Sequence, residues 1–197
     1  MSTTAVAKES LQQIFTEART HHAWLDKPVS DAQLHEIFEL SKWAPTSANS
    51  LPMRIEFVKS EGAKEKLIPA LLGSNVAQVK AAPVTAIIAY DEKFYDDLPT
   101  LFPAFDMRPM FADNPPKSYE SAFRNSTLQG AYFMLAARAL GLDVGPMSGF
   151  DPVKVDEAFF KGTSWKSNFI CNVGYGDASK LYPRGPRLSF DKAVKIV

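Results

Sequence analysis

The amino-acid sequence predicts an α+β domain in which helices flank a central sheet. Amphipathic helical patterns are interspersed with a few stretches of strand character, and the connections do not repeat as strand, helix, strand units. The chain has 197 residues, of which 46% are hydrophobic, so it can bury a sizeable core. Together these observations favour one layered domain over residues 1–197.

Two amphipathic helices are predicted before the first strand. The first ends near residues 19–22, where His21 and His22 would cap its C-terminus. Its apolar stripe consists of Leu11, Ile14, Phe15 and Ala18. The second begins at Ser30, which can cap the helix together with Gln33. Its stripe consists of Leu34, Ile37, Phe38 and Trp43.

A polar loop, Ala44–Pro52, follows the second helix. Its two prolines prevent helix continuation, and its short polar side chains are Thr46, Ser47, Asn49 and Ser50. Such a loop can line a polar planar ligand, or it can be an ordinary connector held by side-chain-to-backbone hydrogen bonds.

Two strands are predicted next, with short helices between them. Arg54–Lys59 has the pattern of a half-buried strand, and Pro83–Tyr90 that of a fully buried one. Ala63–Leu72 and Val76–Ala81 are predicted to be helical.

The segment after Tyr90 is rich in proline and in large apolar side chains. The apolar residues are Phe102, Phe105, Met107, Met110 and Phe111. Because exposing them to water is unfavourable, the segment should pack over something. It is either a surface excursion folded on its own core or a lid over a ligand.

The last third of the chain is predicted to contain a long helix, a turn, a short helix and a strand. The helix, Tyr119–Leu140, has small residues at four-residue spacing that would let another helix, from this chain or a second subunit, approach closely; they are Ala122, Ser126 and Gly130. The other three elements are the turn Gly145–Gly149, a helix starting at Asp151 and Pro152, and the strand Asn168–Tyr175.

Composition excludes several classes of function. The formal net charge is zero, so neither nucleic acid nor an acidic membrane is an expected partner. The longest apolar run is too short for a membrane span, and the polar N-terminus lacks a signal peptide, so a cytoplasmic protein is expected. The one cysteine, Cys171, excludes an internal disulfide, and the three histidines lack ligand spacing, so no metal site is expected.

Two segments match known binding or catalytic motifs only in part. Gly174–Ser179 begins like a dinucleotide-binding fingerprint but lacks its third glycine, and Ser148 is one position away from the serine of a nucleophile elbow. Arg19 and Arg187, at opposite ends of the sequence, are either surface charges or, with a phosphate, bidentate clamps.

Several of these segments, in this order, resemble the signatures of the nitroreductase family. They are Arg19-Thr20, the loop Ala44–Asn49 with Pro52, Ala82-Pro83, Gly145–Gly149 and Arg187-Leu188. The longer runs Ala18–His21, Lys42–Asn49, Gly145–Asp151 and Asn172–Asp177 are similar to its malonic semialdehyde reductase branch, which is associated with the pyrimidine-utilisation (Rut) pathway.

The resemblance implies a nitroreductase-like fold with a mixed or antiparallel sheet, and a homodimer that binds FMN at the subunit interface and takes hydride from NADH or NADPH. Arg19, Thr20 and Arg187 would hold the phosphate, with His22 at a position that is basic in many relatives. Those relatives also carry an arginine where this chain has Ala18. The residues implied around the flavin ring are Ser47, Asn49, Asn75, Gln78, Pro146, Met147, Ser148 and Gly149, with the Ser148 backbone N–H near N5.

FMN would carry the hydride chemistry, so no catalytic side chain is assigned. The implied reaction is reduction of malonic semialdehyde to 3-hydroxypropanoate. Arg108 or Arg124 could hold its carboxylate, unless they form exterior salt bridges, and Phe102, Phe105 and Phe111 would cover the substrate. The alternatives are a nitroaromatic or quinone reductase of the same family and a flavin-binding module without turnover.

Overall fold

A computed structural model describes residues 4–197 of the chain. Four antiparallel strands form the sheet, in the order β1, β2, β4, β3. The strands are β1 (Met53–Val58), β2 (Val84–Asp91), β3 (Asp143–Met147) and β4 (Trp165–Gly174). A single parallel bridge joins Thr20 to Val144 at the outer edge of β3. The predicted antiparallel sheet is thus confirmed, and among residues 4–197 this bridge is the parallel pairing observed.

The described residues also form helices before, between and after the strands. They are α1 (Lys8–Leu11), α2 (Asp31–Ser41), α3 (Glu61–Leu67), α4 (Asn75–Ala81), α5 (Leu98–Leu101), α6 (Arg108–Ala112), α7 (Pro115–Ala139), α8 (Pro152–Phe159) and α9 (Phe190–Ala193). A π-helical turn, Gln12–Thr16, continues α1, and short 3-10 turns occupy Ser47–Asn49, Ile68–Ala70, Phe94–Asp97 and Ala178–Lys180.

Two apolar cores separate the three layers. Helices α2 and α7 pack on one face, where Ile37 and Phe133 are fully buried with Ile88 of β2. Helices α3, α4 and α8 pack on the other face, around Ile87 of the same strand. Alternate side chains of a strand point to opposite faces, and both faces of β2 are covered by helices, so all eight of its residues are buried. The continuous apolar run in the sequence predicts this burial.

The helix starts predicted from capping residues are confirmed. Ser30 and Gln33 form a complete capping box at α2, and the Asp151 side chain accepts hydrogen bonds from Val153 and Lys154 at α8. Helix α7 is longer than predicted because it begins at Pro115, after an Asn114 cap.

The predicted turn at Gly145–Gly149 is wrong for its first three residues, which lie in β3. Pro146 cannot donate a backbone hydrogen bond, but β3 is the edge strand of the sheet, where proline is tolerated. Only Ser148 and Gly149 lie in the connection that follows.

The small residues of α7 are buried within the chain, and two of them contact the sheet. A Cβ on Gly130 would lie 2.6 Å from the ring of Phe169 in β4, and the Ser126 hydroxyl accepts a hydrogen bond from Asn168 at 2.9 Å. Ala122 lies in a third buried cluster with Tyr90 of β2. At Ser126 and Gly130 the predicted close helix contact is therefore corrected to a close contact with β4, whereas the cluster around Ala122 also includes Leu98 of α5 and Phe111 of α6.

The first helix is helical as predicted, but part of its apolar stripe is exposed. Leu11 and Phe15 are 40% and 55% exposed. The proline-rich segment after β2 folds partly onto its own core, since Phe111 is buried against Phe94 in the third cluster, whereas Phe105 remains exposed.

No helix in residues 4–197 combines the length and the hydropathy that a membrane span requires. Within the same residues, no group of three or more His, Cys, Asp or Glu side chains is arranged to hold a metal ion. The assignment of residues 1–197 to one domain stays a prediction.

Candidate functional site

A cavity of about 730 Å³ lies between the end of the first helical segment and the C-terminal segment of the chain. It is lined by Phe15, Thr16, Ala18, Arg19, Thr20, His22, Gln78, Arg138, Tyr182, Pro183, Arg184, Gly185 and Arg187. Residues from both ends of the sequence therefore meet in one place, together with Gln78 of α4 and Arg138 of α7.

The lining of this cavity carries a concentrated positive charge. Four of its residues are arginines, namely Arg19, Arg138, Arg184 and Arg187, and no aspartate or glutamate is among the described lining residues. The chain as a whole has zero formal net charge, so the four cations are a local feature. Planar guanidinium groups that converge without a carboxylate suit a phosphate group.

Reciprocal hydrogen bonds hold the C-terminal segment against the segment that follows the first helix. The Arg19 guanidinium donates to the Tyr182 carbonyl, and Arg184 Nη2 donates to the Ala18 carbonyl at 3.2 Å. The His22 ring stacks on the Tyr182 ring with centroids 4.2 Å apart. Each guanidinium has five N–H donors, so both arginines retain donors for a ligand.

The other two arginines also contact backbone carbonyls. Arg187 Nη1 donates to the carbonyls of Gly185 and Pro186 in its own segment. Arg138 Nη1 makes a long contact of 3.4 Å to the Ile14 carbonyl, and burial lowers the pKa of Arg138. An anion in the cavity would compensate this desolvation.

His21, which lies between the lining residues Thr20 and His22, does not cap a helix. Its ring is buried, its Nε2 lies 3.3 Å from Asp143 Oδ1, and its backbone N–H donates to the Val144 carbonyl at 3.0 Å. Asp143 also accepts a hydrogen bond from the Gly176 amide. The prediction that His21 caps the first helix is wrong, because this histidine joins the first segment to β3 instead.

The turn after β3 lies against the start of α4. Asn75 Nδ2 donates to the Gly149 carbonyl at 2.8 Å, and a Cβ on Gly149 would lie 2.6 Å from the same nitrogen. Ser148 is exposed, whereas the Met147 side chain is buried in the core. A ligand at this turn would meet the backbone of Met147 rather than its side chain.

The polar loop after α2 has an unusual backbone. Ala48, Asn49 and Leu51 have φ values of 53°, 49° and 40°, a region that residues other than glycine rarely adopt. The Ser47 and Asn49 side chains are exposed, and Asn49 Nδ2 donates to the Leu101 carbonyl at 2.9 Å. Neither residue lines the cationic cavity of the same chain.

The predicted substrate residues also lie outside this cavity. Arg108 pairs with Asp96 at 2.9 Å, and Arg124 pairs with Glu120; all four side chains are about half exposed or more. Phe102 and Phe111 pack in or against the third cluster, and Phe105 is exposed. Both arginines therefore form the exterior salt bridges that the sequence analysis gave as the alternative to substrate binding. Their role in substrate binding stays a prediction.

Within one chain, the structure brings Arg19, Thr20, His22, Gln78 and Arg187 together, and separately places Asn75 beside Gly149. Sequence reasoning did not assign Arg184 or Arg138 to the site. Arg184 had a usable signal, because it lies in the same basic segment as Arg187. No sequence signal pointed to Arg138, because basic residues are common in the last turn of a helix, where they interact favourably with the helix dipole.

Cys171 takes no part in chemistry at this site. Its side chain is fully buried in β4, and burial raises the pKa of the thiol to about 12. A thiolate nucleophile is therefore unavailable near neutral pH.

Comparison with known proteins gives consistent matches. A family model described as "Nitroreductase family" matches residues 6–175. A Rhodopseudomonas palustris protein named "Putative NADH dehydrogenase/NAD(P)H nitroreductase" is 57% identical over 187 residues, which cover 95% of both chains.

Solved structures share the fold. A Bacillus subtilis crystal structure described as a "putative nitroreductase" superposes with a TM-score of 0.88 at 22% identity, covering 97% of this chain and all of that one. A similarly described Exiguobacterium sibiricum protein, crystallised in complex with FMN, has a TM-score of 0.85 at 23% identity, covering 99% of this chain and all of that one.

Proposed function

Because this chain belongs to the nitroreductase family, we propose that it is an NAD(P)H-dependent oxidoreductase with FMN as its cofactor. The observation that carries the proposal is the cavity lined by Arg19, Arg138, Arg184 and Arg187 without a carboxylate among the described lining residues. Further support comes from the name of the relative that is 57% identical.

The donor set fits the phosphate of FMN. Arg19 and Arg187 supply guanidinium groups that can bind bidentately, Thr20 supplies a hydroxyl, and Arg184 donates to the carbonyl of Ala18, the position at which the family resemblance implies an arginine. The Arg184 guanidinium, from the C-terminal segment, thus lies close to Ala18, where the chain has no cation. We therefore expect Arg184 to contribute to the phosphate site in place of a cation at position 18.

When bound, FMN supplies the hydride chemistry between the nicotinamide and an oxidised acceptor. The chain itself holds and orients the cofactor and excludes water. Asn75 uses its Nδ2 to hold Gly149 and keeps its Oδ1 for a polar ring edge, while Gln78 presents an amide from the next turn of α4. The exposed Ser148 places its backbone where a flat ring can approach.

A homodimer completes the proposed site. Ser47 and Asn49 are exposed but lie outside the cationic cavity of their own chain, so a second copy would supply them. Large apolar side chains at the surface support such an interface. They include Phe15, Phe38, Trp43, Phe123, Leu128 and Tyr132.

The proposed acceptor is malonic semialdehyde, which would be reduced to 3-hydroxypropanoate in pyrimidine catabolism in the cytoplasm. Its support is the resemblance to that branch of the family and the two half-exposed arginines, Arg108 and Arg124, whose surface ion pairs are weak enough to exchange. A nitroaromatic or quinone acceptor is the second candidate, favoured by the name of the relative and by the exposed ring of Phe105.

A visible spectrum of the purified protein with FMN, followed by anaerobic titration, tests the proposal. NADPH or NADH should bleach the flavin absorbance, and the acceptor should restore it. A flavin whose colour survives both nicotinamides would indicate a binding module without turnover. The ratio of kcat/KM for malonic semialdehyde to that for a nitroaromatic compound decides between the two acceptors.

The phosphate site has its own test. Arg19→Ala and Arg187→Ala should each raise the Kd for FMN by about tenfold or more, because a charge-assisted hydrogen bond is lost, and should leave the Kd for riboflavin unchanged. Lys180→Ala is the matched control, since Lys180 is an exposed cation outside the cavity lining. Equal losses for FMN and riboflavin would contradict a phosphate role.

A further inference from the structure

The loop between α2 and β1 has a backbone that its own sequence does not favour. Ala48, Asn49 and Leu51 all have positive φ, and none of them is glycine. Ala48 and Leu51 also lack the short polar side chain with which asparagine stabilises this region locally. Such conformations persist only where the surrounding structure determines them.

Two side chains of α7 bracket these residues. Asn125 Oδ1 accepts from the Ser47 amide at 2.8 Å, and Gln129 Oε1 accepts from the Met53 amide at 2.9 Å. Asn125 and Gln129 lie one helical turn apart on the same face of α7, and each is only 3% exposed. The two amides lie just before and just after the residues with positive φ.

The orientation of Asn125 is determined by its other contacts. Its Nδ2 donates to the Ser121 carbonyl at 2.8 Å and lies 3.3 Å from the Ser121 hydroxyl. A backbone amide can only donate, so Oδ1 must face the loop. The Met53–Gln129 hydrogen bond is buried, so losing its acceptor leaves a backbone N–H without a partner in a place that water reaches poorly. The Ser47–Asn125 hydrogen bond is partly buried, and losing its acceptor removes the link between α7 and the start of the loop.

We propose that Asn125 and Gln129 are positioning residues that hold the Ser47–Leu51 loop in the conformation in which Ser47 and Asn49 contact the flavin. The inference rests on the proposed function, because it takes the loop to be part of the FMN site. It adds two residues to that site that touch neither cofactor nor substrate and act only through the loop backbone.

The first experiment compares Asn125→Leu and Gln129→Met with their conservative counterparts. The apolar variants remove the acceptor and should raise the Kd for FMN about tenfold, and they should shift the visible spectrum of bound flavin. Gln129→Glu keeps an oxygen acceptor and should stay within about threefold of the wild-type Kd. Asn125→Asp keeps the acceptor for Ser47 but loses the donor to the Ser121 carbonyl, so its Kd should lie between those of wild type and Asn125→Leu. Sedimentation and circular dichroism establish that each variant is folded and dimeric.

Ser126→Ala is the matched control. Ser126 is buried next to Asn125 on α7, and its hydroxyl bonds to Phe123 and Asn168 without contacting the loop. This variant should lower the thermal midpoint but leave the Kd and the spectrum of bound FMN unchanged. If Asn125→Leu behaves in the same way, with only its thermal midpoint lowered, the positioning role is wrong.

A second experiment tests the route through the backbone. Glycine adopts positive φ freely, so Ala48→Gly in the Asn125→Leu background should recover at least about half of the lost affinity, on a logarithmic scale. No recovery would overturn the proposed route. If Asn125→Leu does not fold, Gln129→Met with Ala48→Gly gives the same comparison from the other end of the loop.

The wild-type protein separates the two proposals. If wild type neither binds FMN nor loses flavin colour with NADPH, the proposed function itself fails. If wild type passes both tests and the Asn125 and Gln129 variants match it in Kd and spectrum, only the positioning role fails.

Discussion

Gly176 shows how a single residue makes room for the buried His21 ring. A Cβ at this position would overlap the buried His21 ring. Gly176→Ala should therefore destabilise the fold by about 1–3 kcal/mol, because the ring cannot move without breaking its contact with Asp143. Chemical denaturation measures this difference.

Gly62→Ala is the matched control for that substitution. Gly62 lies in α3, and nothing is within 4 Å of a Cβ added there. Alanine favours helix, so this variant should be more stable than wild type by about 0.5–1 kcal/mol. Equal effects of the two substitutions would show that backbone propensity, and not the space occupied by His21, decides the result.

His21 should also make stability depend on pH. Burial lowers the pKa of His21 from its ordinary 6.5, with Arg19 and His22 acting in the same direction and Asp143 and Asp177 opposing it. The unfolded chain then binds the proton more readily, so the stability contributed by the neutral ring is complete above about pH 6.5 and is lost as the pH falls.

The protonation of His21 should therefore change how steeply the free energy of unfolding depends on pH. Between about pH 7.5 and 5.5, the free energy of unfolding of wild type should fall more steeply than that of His21→Asn. Denaturant titrations at several pH values measure both curves. Parallel curves would mean that His21 does not carry the effect.

At the scale of elements, α7 is the helix on which most of the site depends. It packs on the sheet, it holds the polar loop through Asn125 and Gln129, and it contributes Arg138 to the cavity. Its close approach to β4 depends on the absence of a side chain at Gly130.

A pair of substitutions tests this packing. Gly130→Ala should destabilise the fold by about 1–3 kcal/mol, since the new methyl group would lie 2.6 Å from the Phe169 ring. Combining it with Phe169→Leu should cost less than the sum of the single changes, because the smaller side chain makes room for the methyl group. Strict additivity in denaturant unfolding would argue against the contact.

At the scale of the whole molecule, the C-terminal segment is a candidate surface for the proposed dimer. Residues 182–197 are all exposed, although they carry large apolar side chains. These include Leu188, Phe190, Val194 and Ile196. Burying each such side chain stabilises by about 1.5–3 kcal/mol, so a second copy that covers them would gain substantially.

Truncation after Arg187 tests this interpretation. The shortened chain keeps Arg184 and Arg187 but lacks the apolar side chains, so its dimer dissociation constant should rise at least about a hundredfold. Analytical ultracentrifugation over a range of concentrations measures it. A truncated chain that dimerises as tightly as the full one would place the interface elsewhere, on the exposed faces of α2 and α7.

Local sequence patterns were sufficient for much of the fold. The capping box at Ser30, the buried strand around Ile87 and the long helix α7 were predicted because each depends on residues close together in the chain. The strand Asp143–Met147 was missed because glycine and proline indicate a turn locally, whereas its pairing with β4 is a long-range effect.

The amino-acid sequence by itself determined the helices, the buried strands and the chemistry available to the site, because periodicity and residue type act over a few neighbours. Only the tertiary structure decided that Arg19 and Arg187, 168 positions apart, line one cavity, that Arg138 and Arg184 join them, and that Asn125 and Gln129 hold the polar loop. These contacts depend on strand pairing and on how α7 packs on the sheet, and a residue pattern contains no measure of distances across the fold.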